Sequence, residues 1–103
     1  MYYQQGDVLL KSISELPEGN EIKARDGLFV LAEGEATGHK HAIEDIGGIK
    51  FIERNGAFYI QNATSVIIKH EEHNSIFLPI GIWKVSKVRE YDHFTEEARN
   101  VQD

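Results

Sequence analysis

The chain has 103 residues, 41% of them apolar, and a formal net charge of −6. That is enough for one domain with one core, and the negative sign disfavours nonspecific nucleic-acid binding, which uses clustered positive charge. The absence of cysteine excludes disulfides, a thiolate nucleophile, an iron–sulfur cluster and Cys-ligated zinc.

The start, "MYYQQGDVLLKS", has neither a basic leader segment nor an apolar one, and no apolar run reaches the length of a membrane span. A cytoplasmic location without a membrane partner is expected. "DVLLKSI" (residues 7–13) reads as a first strand, and Pro17 and Gly19 in "ELPEGNE" break it. "GLFVLAEGE" holds a short buried run over residues 28–31. Gly34 and Gly38 flank a loop or bulge, and "HAIEDIGG" ends at Gly47 and Gly48. In "IKFIERNGAFYIQNA" two apolar strands meet at Asn55-Gly56, a pair that tolerates the positive φ angles of a type I′ hairpin turn. "SVIIKH", "SIFLP" and "IGIWKVSKVREY" supply the remaining strands. Lys84, Lys87 and Arg89 in the last read as a solvated edge, since they do not share one strand face. Thr95, with Glu96 and Glu97 after it, predicts the start of a short helix within residues 94–103. Phe94, Ala98 and Val101 fall at helical spacing for docking on a sheet. The expected architecture over residues 1–103 is all-β: a small antiparallel sandwich or barrel, with a jelly roll among the options, and a short C-terminal helix.

Four of the five histidines lie in two doublets, "GHKH" and "KHEEHN". Residues two apart on a strand share a face, so His39 and His41 are expected to point together, with Lys40 opposite. His70 and His73 are three apart. If Glu71-Glu72 forms a two-residue hairpin loop, they face each other across it. Should both turns reach one rim, four imidazoles, or three with Glu44 or Glu72, would suit Zn²⁺, Fe²⁺, Ni²⁺ or Mn²⁺. His93, in "YDHF", reads as a surface or capping residue. "HEEH" lacks the i, i+4 spacing of the zincin motif. No nucleophile accompanies the histidines, and no phosphate-binding glycine loop is present.

"GEATGHKHAIE" resembles the first half of a cupin signature: glycine, a short spacer, His-x-His, then glutamate. The resemblance implies a jelly-roll strand on which His39, His41 and Glu44 ligate a metal. Where a second cupin motif places a histidine, after Pro79 to Gly81, this chain has Trp83 and Lys84. "GDVLL", "GHKH", "HEEH", "LPIG" and "REYD" together resemble small uncharacterised bacterial proteins of phage-related settings, which implies no activity. Two functional expectations follow. One is a divalent transition-metal site at His39, His41, His70, His73 and Glu44, with reaction and substrate unspecified. The other is a non-enzymatic interaction module or homo-oligomer subunit whose histidines line a solvated rim. Whether the protein is an enzyme stays open at this stage.

Overall fold

The computed structural model describes residues 1–33 and 38–87. The predicted tail helix, Thr95 and His93 lie outside the described residues. Among the described residues, ten strands form two antiparallel sheets. They are β1 (Tyr2–Gln5), β2 (Val8–Ser12), β3 (Asn20–Glu21), β4 (Leu28–Glu33) and β5 (Lys40–Glu44), followed by β6 (Ile49–Arg54), β7 (Ala57–Asn62), β8 (Val66–Lys69), β9 (Ile76–Leu78) and β10 (Gly81–Lys87). One sheet runs β1-β2-β10-β7-β6-β3 and the other β4-β5-β8-β9. The all-β expectation holds. Among the described residues no helix is long and apolar enough to cross a membrane.

The β6–β7 hairpin turns at Asn55 and Gly56, whose φ angles of 52° and 81° are the positive values this turn type needs. The expected first strand is preceded by one that the sequence reading did not assign. Gln5 pairs with Val8, leaving Gly6 and Asp7 as a two-residue loop, and Gly6 takes φ 58°. A glycine at the first central position is what a type II′ turn demands.

Alternation puts Val8, Leu10, Phe51, Ile60, Trp83 and Val85 of the larger sheet against Phe29, Leu31, Ile43, Val66, Ile68 and Leu78 of the smaller. Phe29 and Phe51 meet edge-on across the interface at 5.8 Å. The buried Trp83 ring donates its Nε1–H to Asn62 Oδ1 at 3.1 Å, and Asn62 Nδ2 donates to the carbonyls of Thr64 and Pro79 at 2.9 Å each. The polar atoms brought into the core with Trp83 thus keep their hydrogen bonds.

Two features shape one end of the sandwich. The β4–β5 register shifts between Val30 and Ala32, so Ala32 pairs with His41 on the inner side. The β8–β9 connection is a six-residue turn, 70–75, rather than the expected two-residue loop. Both His70 and His73 therefore lie in the turn and not opposite each other on a ladder. The β1–β2 hairpin, the end of β4, the start of β5, the 70–75 turn and the end of β10 all meet at this end.

Candidate functional site

The two histidine doublets converge there. His39, His41, His70 and His73 line one cleft of about 180 Å³, together with Asp7, Glu33, Glu72 and Lys87. Ring centroids lie 4.2 Å apart for His41–His70, 4.6 Å for His70–His73, 5.7 Å for His39–His70 and 5.8 Å for His41–His73. Among the described residues, three carboxylates against one ammonium make the cleft attractive to cations.

His41 is the anchor. It sits on the inner face of β5 and is 5% exposed. Gln5, at the end of β1, donates both amide protons to backbone carbonyls, of Ile68 and Asn74, at 2.9 Å each. Its Oε1 therefore faces His41 Nδ1, at 2.8 Å, and a carbonyl oxygen can only accept. Nδ1 must carry the proton, which leaves the Nε2 lone pair directed into the cleft. Nε2 lies 3.5 Å from Asp7 Oδ1. Burial, followed by repulsion from His70, holds the His41 pKa down at about 4, against the opposing pull of Asp7. At neutral pH two acceptors, a bare imidazole nitrogen and a carboxylate oxygen, therefore face each other.

His70 has the opposite polarity. Its Nδ1 accepts the backbone N–H groups of Glu72 at 3.0 Å and His73 at 3.3 Å. Neutral His70 then carries its proton on Nε2. His39 Nδ1 lies 3.3 Å from Glu72 Oε1. The strand and the turn are tied by Glu71, whose carboxylate accepts the Lys40 backbone N–H at 2.9 Å. That bond holds the Glu71 pKa below its ordinary value. His73 rests on the backbone of Gly6, where an added Cβ would come within 2.5 Å of His73 Nε2. Gly6→Ala should therefore displace the His73 ring. It should also cost at least about 1 kcal/mol, because alanine is disfavoured at positive φ. Urea denaturation and the His73 imidazole NMR shifts measure this; unchanged stability and shifts would refute the packing.

The family profile for a domain of unknown function, DUF8820, matches residues 4–88. The chain belongs to the DUF8820 family. The matched span contains every residue of the cleft. Comparison with curated proteins and with solved structures finds no match. The DUF8820 description names no activity, and it names neither cupins nor a phage setting.

In this DUF8820 domain Glu44 is not part of the cleft. It lies three positions along β5 from His41, hence on the opposite face, where it pairs with Leu28 and lines an outer groove. Among the described residues, the carboxylates that line the cleft with the histidines are Asp7, Glu33 and Glu72. Glu72 stood among the sequence candidates, whereas Asp7 and its neighbour Gln5 did not. Their signal was the Gly6-Asp7 pair between two strand-like stretches, which marks a hairpin tip. Among the described residues no group of three or more His, Asp or Glu side chains is already arranged to hold a metal ion.

Proposed function

We propose that the DUF8820 domain binds one divalent transition metal in this cleft, through His41 Nε2 and Asp7, with one of His39 and His73 drawn in as a third protein ligand and the fourth position left to a non-protein donor. The observation that carries the reading is the His41–Asp7 contact, in which two acceptors face each other with no proton to share. A cation between them would remove the conflict. Two ligands at about 2.0–2.1 Å from a tetrahedral ion stand roughly 3.3 Å apart, close to the 3.5 Å observed. The hydrogen bond from His41 Nδ1 to Gln5 is the kind of outer support that orients ligating histidines in known metal sites. Loading requires one of them, the part-buried His39 or the exposed His73, to turn inward. The all-nitrogen and oxygen donor set suits Zn²⁺, Fe²⁺, Ni²⁺ or Mn²⁺.

A second reading, an interaction module or homo-oligomer subunit, draws on the outer face of the smaller sheet. Cross-strand neighbours Ile67 and Phe77 are 44% and 63% exposed there. Elemental analysis of untagged protein, calorimetry with the four metals and sedimentation velocity on the same samples test both readings. We expect one equivalent of metal at a dissociation constant well below millimolar. Weaker binding of all four metals, alongside a concentration-dependent dimer, would favour the second reading.

A further inference from the structure

Hydrogen-bond polarity divides the four histidines. The His70 Nδ1 lone pair is occupied by two backbone N–H groups of its own turn. Ligation through Nε2 would require that nitrogen to lose its proton, giving an imidazolate, since Nδ1 cannot take the proton while it accepts from the turn. The ring spacing argues the same way. Two imidazoles bound through nitrogen to one tetrahedral zinc have centroids about 5 Å apart. His41 and His70 are 4.2 Å apart and tilted by only 35°. That spacing is closer than two ligands of one ion stand.

We propose that His70 is not a ligand but a fixed Nε2–H donor to the non-protein ligand of the ion, and that this ligand is a small carboxylate. The proposal rests on the metal reading above. Among the described residues of the cleft, a divalent ion would offset the excess of two carboxylates over Lys87, so that an anion could enter without net repulsion. Lys87, which lines the cleft from the end of β10, adds a second donor. A carboxylate would then place one oxygen on the metal and accept from His70 Nε2–H and the Lys87 ammonium. This is a binding assignment, and no bond of the carboxylate is broken.

The test uses Co²⁺ as a spectroscopic probe and acetate as the carboxylate. His70→Asn retains a side-chain acceptor for the turn N–H groups and deletes the Nε2 donor. Cobalt affinity, read from visible absorption, should fall much less than in His41→Ala, because no ligand is lost. Acetate affinity of the cobalt-loaded protein should fall about tenfold or more, the effect of losing one charge-assisted hydrogen bond. A cobalt affinity that drops as far as in His41→Ala would make His70 a ligand and overturn the proposal. Unchanged acetate affinity would overturn it as well. In the metal-free wild type, long-range ¹H–¹⁵N spectra should show the His70 proton on Nε2. A proton on Nδ1 overturns the proposal whether or not metal binds. Failure of the wild type to bind cobalt at all is a separate result: it removes the metal reading itself, and the proposal with it.

Discussion

Replacing His41 by alanine is expected to lower Zn²⁺ affinity by more than about a hundredfold. Loss of an outer-shell partner alone typically costs 10–100-fold, and His41 supplies the best-oriented nitrogen in the cleft. Its ring is buried, its Nδ1–H is committed to Gln5, and the Gln5 amide is held by two backbone carbonyls. The orientation of the Nε2 lone pair is therefore prepaid in the fold. Glu44→Ala should leave the affinity unchanged, because Glu44 lies on the outer face of the same strand. Calorimetric titration of wild type and both variants measures the contrast. Equal effects from the two substitutions would place the ion somewhere other than this cleft.

The second large effect concerns pH in the metal-free protein. The His41 pKa is near 6.5 in an unfolded chain and about 4 in the fold. Between those values the unfolded state binds a proton that the folded state does not, so stability rises with pH across the window. The contribution is fully present above about pH 6.5 and is lost as pH falls toward 4. At 1.4 kcal/mol per pH unit the loss reaches roughly 3 kcal/mol, a large share of a total of about 5–15 kcal/mol for a domain. Carboxylates also titrate at the lower end, so the test is a difference between proteins. Chemical denaturation of chelator-treated wild type and His41→Gln, from pH 8 to pH 4, should give curves that converge or cross as pH falls. Wild type should show the steeper loss. Parallel curves would mean that the buried ring takes up its proton as freely in the fold as outside it.

Local chemistry was enough to read the all-β class and several of its strands. Asn55-Gly56 turned where its tolerance of positive φ allowed, and the alternating residues on either side paired across that hairpin. Strand parity placed Lys40 and His41 on opposite faces without further help. The same parity rule, applied three residues on, takes Glu44 away from His41, and there the fold follows the two-residue period rather than the cupin-like spacing. The unassigned β1 illustrates the limit of pattern reading: "YYQQ" has no apolar alternation, and its pairing with β2 emerges only from the Gly6-Asp7 turn.

By itself the sequence determined that four histidines come in two doublets, that no thiolate competes with them, and that any metal here must sit on nitrogen and oxygen. Only the tertiary structure decided that the doublets share one cleft, because that depends on β5 lying beside β8 with the 70–75 turn at the same end of the sandwich. It also decided which nitrogens carry protons. His41 takes its polarity from Gln5, 36 residues away, whereas His70 takes the reverse polarity from the next turn of its own backbone. Hydrogen-bond partners across such separations are set by strand order, which is a property of the packed sheets and has no local signature in the chain.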